Sequence, residues 1–313
     1  MARLGRVAGA LTATAALALT GCTGAGEGAM GADDADARPT VVTTFTVLAD
    51  IAANVAGDHL AVESLTKIGA EVHGYEPTPG DIRRAADADL ILDNGLGLEK
   101  WFEQFVEGLD VPHVVVTEDV DPIDIAGTDA GESAGKPNPH AWMSPPNVSR
   151  YVDTIATAFS ALDPAHAEDF AANARAYQAE LDAVHERLIS ELATLPASKR
   201  ALVTCEGAFS YLARDAGLTE HYIWPVNAEQ QATPQQIAST IEFVREAEVP
   251  AVFCESTVSD RAMQQVVEAT GAHYGGVLYV DSLSEADGPV PTYLDLIRHD
   301  TELIIAGLTG RSS

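Results

Sequence analysis

Three kinds of residue are scarce in this chain of 313 residues, and each scarcity excludes something. Three cysteines are too few for a disulfide scaffold or a Cys₄ zinc module. Lys plus Arg number 18 against 47 Asp plus Glu, a formal charge of −29. That leaves no large basic footprint for nucleic acid and no basic patch for anionic lipid. No apolar run reaches the roughly 20 residues that a membrane span needs. Catalytic signatures are missing as well: there is no His-Glu-x-x-His, no Gly-x-Ser-x-Gly and no P-loop. Gly95-Leu96-Gly97 lacks the third glycine of a dinucleotide fingerprint and reads as a turn. With 46% hydrophobic and 21% charged residues, the chain is no disordered polyelectrolyte, and its length suits two ordinary domains or one large one.

The first residues, Met1 to Arg6, carry two arginines and precede a short apolar run from Val7 to Leu19. A basic start with a short apolar core is a secretory signal. It ends in Leu19-Thr20-Gly21-Cys22, which resembles the bacterial lipobox, where the Cys is lipidated and becomes the mature N-terminus. Residues 1–21 are thus expected to be removed and Cys22 to anchor the chain to the bacterial cell membrane from outside the cytoplasm. Cleavage takes away Arg3 and Arg6 and no acid, so −29 becomes −31. Residues 22–40, rich in Gly, Ala and Asp, read as a flexible tether with a reach of about 23 Å.

Folding signals begin at Val41. Val41–Phe45 is a β-rich run, followed by a helical pattern from Val47 to Ala56 closed by Gly57. Val62–Ile68, Asp89–Asp93 and Val114–Thr117 read as strands, with helices at Ile82–Ala86 and Trp101–Gly108. The alternation repeats later: strands Ala201–Cys205, Val249–Cys254 and Val277–Val280, helices Phe209–Ala216 and Asp260–Thr270. Strands alternating with helices argue for parallel α/β sheets. The expectation is two similar α/β lobes, 41–160 and 198–313, joined by one long rigid helix over 161–197. Asp163 and Pro164 suit its start, and Phe170, Ala174, Tyr177, Leu181, Val184, Leu188 and Leu192 form one apolar stripe. About thirty residues predict a helix of about 45 Å. Glu118 to Pro139 is a polar loop carrying Asp119, Asp121, Asp124, Asp129 and Glu132 but no His.

Of nine histidines, two have unusual settings. His73 lies in Glu71-Val72-His73-Gly74-Tyr75-Glu76-Pro77, and His140 in Asn138-Pro139-His140-Ala141-Trp142. Both loops pair proline with an aromatic, and loops at strand ends are where α/β folds bind ligands. Taken singly, each His is more often structural. His59, His166, His185, His221 and His299 read as exposed or helix-face residues, and His113 and His273 as strand-edge residues. Glu206 and Asp281 each follow a buried strand and point toward a crevice between lobes; surface solvation is the competing reading for each.

The segments His73-Gly74-Tyr75-Glu76-Pro77, Pro139-His140-Ala141-Trp142-Met143, Val203-Thr204-Cys205-Glu206-Gly207-Ala208-Phe209 and Val280-Asp281-Ser282-Leu283 together resemble the four metal-site segments of the cluster A-I substrate-binding proteins. These are the manganese/zinc receptors of bacterial ABC importers. The similarity runs from about Val41 to Leu308 and takes in Tyr222–Asn227, Thr233–Gln236 and Glu255–Arg261. It implies His73, His140, Glu206 and Asp281 as metal ligands in the crevice between the lobes. It also implies an ABC permease as partner, a monomer, and no enzymatic activity. Two neutral imidazoles and two carboxylates carry −2, which neutralises a divalent ion. Two departures stand out: Val72 where the family usually has Pro, and Asn138 where Asp often precedes Pro-His.

The resembling zinc receptors carry a third His and a His-rich loop. Here the third position is Glu206 and the loop is acidic, so Mn²⁺ fits the oxygen donors best, with Zn²⁺ and Fe²⁺ open. Other readings of the same residues are a metallohydrolase, which needs an open coordination position, and an adhesin. Glu255 is a candidate supporting residue, or equally a surface partner of Arg261. Cys205 and Cys254 each end a strand. Two buried thiols are the leading expectation, a disulfide is open, and a thiolate ligand fits least.

Overall fold

The computed structural model describes residues 38–311 except 107, 127–132 and 227–231. The signal segment, Cys22, most of the tether, Asp129, Glu132 and Asn227 lie outside the described residues. Eight strands and nine α-helices are described: β1 (Thr40–Thr43), α1 (Thr46–Ala56), β2 (Ala61–Ser64), α2 (Pro79–Ala86), β3 (Leu90–Asp93), α3 (Lys100–Val106), β4 (His113–Val115) and α4 (Pro145–Leu162). After these come α5 (Ala167–Leu192), β5 (Ala201–Glu206), α6 (Ser210–Ala216), β6 (Thr219–Trp224), α7 (Pro234–Glu246), β7 (Ala251–Glu255), α8 (Arg261–Thr270), β8 (His273–Leu278) and α9 (Tyr293–Thr309). Among the described residues no helix is long and apolar enough to cross a membrane.

In the N-terminal half, four parallel strands stand in the order β2-β1-β3-β4. In the C-terminal half, β5 pairs with β6 and β7 with β8, again in parallel. β1, β3, β5 and β7 are almost wholly buried, which is why they read as unbroken apolar runs in sequence. Parallel strands need crossover connections, so the chain enters every strand of a sheet at the same end and leaves at the opposite end. The links at the strands' C-terminal ends therefore collect on one side. His73 lies between β2 and α2, His140 between β4 and α4, Glu206 at the end of β5, and Asp281 between β8 and α9.

α5 buries the seven residues of the expected stripe, Phe170 through Leu192. It is shorter than expected: 26 residues, about 39 Å. The Asp163 carboxylate caps a separate 3-10 turn, Pro164–His166, by accepting from the Ala165 N–H, so the α-helix starts later. Nor does α5 lie between the halves alone. α4, which the sequence pattern did not separate, runs antiparallel beside it. Phe159 meets Phe170 at 5.7 Å between ring centroids, and the Gln178 amide reaches back to the Ser149 carbonyl. α1 and α9 complete the packing: Asn173 donates to the Val55 carbonyl, and Arg187 on α5 pairs with Glu302 on α9. One apolar core extends from β1 through α1, α4 and α5 to α9.

Cys205 and Cys254 form a disulfide, with Cα atoms 4.9 Å apart. This corrects the expectation of two thiols. The side chains end neighbouring strands, where the 4.8 Å spacing suits a bridge. It ties β5 to β7. Titrating thiols in the denatured protein should show two that appear only after reduction; finding both before reduction would rule the bridge out.

Candidate metal centre

His73, His140 and Asp281, from three loops, and Glu206, from the end of β5, meet at one point. The Nε2 atoms of His73 and His140 are 3.1 Å apart. Glu206 Oε1 is 3.8 Å from each of them, and Asp281 Oδ1 is 3.9 Å from His140 Nε2. Donors about 2.1 Å from one ion stand about 3.0–3.4 Å apart for right-angled to tetrahedral geometry, so the imidazole pair matches and the carboxylates lie slightly outside. His140, Glu206 and Asp281 are buried and His73 nearly so. Asp281 Oδ1 is buried yet accepts no hydrogen bond among the described residues. A buried carboxylate oxygen left in that state costs free energy unless a cation meets it.

Each loop is fixed by its own sequence. Both carboxylate oxygens of Glu71 accept backbone N–H groups, from His73 and Gly74, at 2.7 Å. The Trp101 indole donates to the Val72 carbonyl at 2.9 Å, and the Gly69 N–H donates to Ser282 Oγ at 2.6 Å. Beyond His73, Thr78 and Asp81 form a capping box that opens α2, with Pro79 in its first turn. Burial pushes the Asp81 carboxyl up, but donors from Thr78, Arg84 and Tyr75 outweigh it and hold it down at about 2. The His140 loop rests on the Asn94 amide, which donates to the Pro139 carbonyl and accepts from the Tyr151 hydroxyl. Glu99, pushed up to about 8 by burial and by Asp93, holds Asn94 by accepting its N–H. His140 itself meets Asn138 Oδ1 through both its backbone N–H, at 3.0 Å, and its ring Nδ1, at 2.9 Å. Burial, then His73, lowers the His140 imidazole well below its ordinary range, which keeps it neutral and ready to ligate.

On the other side, the Trp142 indole donates to the Val280 carbonyl, next to Asp281, and the Tyr293 hydroxyl donates to the Trp142 carbonyl. Burial raises the Asp281 carboxyl. Glu255 is buried, and its Oε2 accepts the Glu206 N–H at 3.2 Å, which excludes the surface pairing with Arg261. Burial pushes its carboxyl up to about 8, with Asp281 adding to the rise and N–H groups of Glu255, Glu206 and Cys205 opposing it. A largely neutral Glu255 adds little negative charge to the donor set. Gly207 follows Glu206 where a Cβ would stand 2.4 Å from the Pro225 carbonyl oxygen, so the turn admits no side chain.

Sequence reasoning missed the supporting residues Glu71, Asn94, Glu99, Trp142 and Ser282. Glu71 had a local signal, sitting two residues before His73. Glu99 lies five residues from the Asn94 it holds, while Asn94, Trp142 and Ser282 make their contacts across more than forty positions. The other histidines lie elsewhere: His59 stacks on His166 at 3.9 Å, His113 meets Asp93, and His221 stacks on Phe243.

Parallel α/β halves packed on long helices, with imidazoles and carboxylates converging from strand ends, define a metal-binding protein of the substrate-receptor class. Residues 41–307 match the family model described as "Zinc-uptake complex component A periplasmic". The chain belongs to that family, and is a metal-binding substrate-binding protein of an ABC transporter rather than an enzyme. It is 53% identical over 268 residues to the iron-binding protein YfeA of Yersinia pestis, covering 85% of each chain. It is 34% identical to the manganese-binding lipoprotein MntA of Halalkalibacterium halodurans, covering 86% of this chain and 88% of that one. A Mn-bound periplasmic metal-binding protein from Candidatus Liberibacter asiaticus superposes with a TM-score of 0.81 at 38% identity, over 87% of this chain and all of that one.

Two substitutions test the supports. Gly207→Ala should cost about 1–3 kcal/mol in urea unfolding, because backbone must shift to admit the methyl. Asp81→Asn should lower the melting temperature at pH 6 and much less at pH 2. A carboxylate held below its unfolded value stabilises above about pH 4 and loses that contribution as pH falls toward 2.

Proposed function

We propose that the protein is an extracytoplasmic receptor, anchored through lipid on Cys22, that captures Mn²⁺ with His73, His140, Glu206 and Asp281 and delivers it to an ABC import permease. In this reading residues 41–160 and 198–313 act as the two lobes and 161–197 as the link. The observation that carries it is the donor set: two imidazole nitrogens and two buried carboxylates around one point. Their charge offsets that of a divalent ion, and two oxygen-donor residues suit a harder ion than three imidazoles would. The MntA relative, named as manganese-binding, supports the choice of metal.

Fe²⁺ is the second reading, because the 53% identical relative is named as iron-binding. Oxygen-rich sites discriminate poorly between Mn²⁺ and Fe²⁺, and by the Irving–Williams order Zn²⁺ binds at least as tightly as either. Selection then falls to geometry and metal availability.

Metal analysis with competition titrations, anaerobic for Fe²⁺, decides the matter. About one ion per chain is expected, with Mn²⁺ binding lost in a Glu206→Ala, Asp281→Ala double variant. Full affinity in that variant would show the ligand set to be wrong. Tighter binding of Fe²⁺ than Mn²⁺ under equal conditions would favour the iron reading.

A further inference from the structure

Asn138 uses its whole amide. Its Oδ1 receives the His140 backbone N–H and ring Nδ1, at 3.0 and 2.9 Å. Its Nδ2 donates to the Gly207 carbonyl at 2.6 Å and to Ser210 Oγ at 3.1 Å. Its backbone carbonyl accepts the Tyr211 hydroxyl at 2.7 Å. The side chain is buried.

Two of these partners fix which way the amide faces. A backbone N–H can only donate and a backbone carbonyl can only accept, so oxygen faces His140 and nitrogen faces Gly207. His140 Nδ1 must then carry the ring proton, which leaves the Nε2 lone pair facing the other three site residues. The same amide thus sets the imidazole tautomer on the N-terminal side and grips the residue after Glu206 on the C-terminal side. Aspartate could do only the first. Its second oxygen would face the Gly207 carbonyl oxygen, acceptor against acceptor.

We infer that Asn138 is a latch between the two halves of the site: docking of the Gly207 turn holds the amide, and the amide holds His140 in its ligating tautomer. The inference rests on the receptor reading above. When the halves part, the amide loses Gly207 and Ser210 together and only its bonds to His140 still hold it. The acceptor of His140 is then less firmly oriented, so metal release and separation of the halves are coupled. Ser210 fits this arrangement, because its own hydroxyl proton is donated to Glu220 Oε2 at 2.6 Å, leaving its lone pairs for Asn138.

The test compares the full-length protein with its Asn138→Asp, Asn138→Ala and His140→Ala variants, loaded with Mn²⁺ and mixed with excess EDTA. Asn138→Asp should release Mn²⁺ at least about tenfold faster than wild type, while ¹⁵N spectra of the metal-free protein still show the Nδ1–H tautomer at His140. Asn138→Ala should lose both, with a mixed tautomer and affinity weakened by about 10–100-fold, the range for a lost support of a ligating histidine. Release from Asn138→Asp at the wild-type rate, with His140→Ala unable to bind, would overturn the latch and leave the receptor reading standing. Mn²⁺ held equally by wild type and His140→Ala would overturn the ligand set on which the receptor reading rests. A mixed tautomer in wild type would also overturn the latch, whatever the release rates.

Discussion

Two carboxylates, on Glu206 and Asp281, are withdrawn almost completely from water beside two imidazoles. Desolvation works against keeping two negative charges so close in such a place unless positive charge or donors meet them. Most of what surrounds the point answers that demand. Burial keeps His140 neutral, so it supplies a lone pair in place of a cation. Burial also lifts Glu255 to about 8, which withholds a third charge. A divalent cation is the group that such a set accommodates with the least residual charge.

The supports form two groups that hardly overlap. The His73 turn is held by Glu71, Trp101 and the capping box of α2, all close in the chain or in the same half. The His140 turn hangs from a chain of buried groups, Glu99 to Asn94 to the Pro139 carbonyl, rooted at the ends of β1 and β3. Cross-contacts then reach the other half through single atoms: Trp142 to Val280, Gly69 to Ser282, Asn138 to Gly207. Residues on one half bear on geometry in the other through hydrogen bonds, each worth about 1 kcal/mol net. Several such bonds hold a closed arrangement without making it permanent.

Much of this was legible in the chain, for identifiable reasons. β1, β3, β5 and β7 are buried on both faces, so their apolar runs survive translation into structure. The seven-residue stripe of α5 is its buried face, residue for residue. α4 and α9 were not separated, although Val148, Tyr151, Val152, Ile155 and Phe159 keep a helical period, because Pro145-Pro146 obscure the start of α4 and the scattered Ser149, Thr154, Thr157 and Ser160 lower its propensity. β6 ends its chain of charged and aromatic residues only against β5, and its partly exposed pattern shows no clean alternation. His73 and His140 were visible because proline and aromatics mark their loops, and Glu206 and Asp281 because each follows a buried strand. Their supports were not, since Asn94, Trp142 and Ser282 acquire meaning only when distant segments meet.

The disulfide between Cys205 and Cys254 carries a mechanical consequence. Each cysteine stands one residue before an acid, Glu206 or Glu255, and those acids touch through a backbone N–H. A covalent tie at that point prevents β5 and β7 from sliding past each other. Glu206 therefore has no independent travel along its strand. Any displacement of its carboxylate relative to the imidazoles must come from side-chain rotation or from moving the stapled pair of strands as one plate.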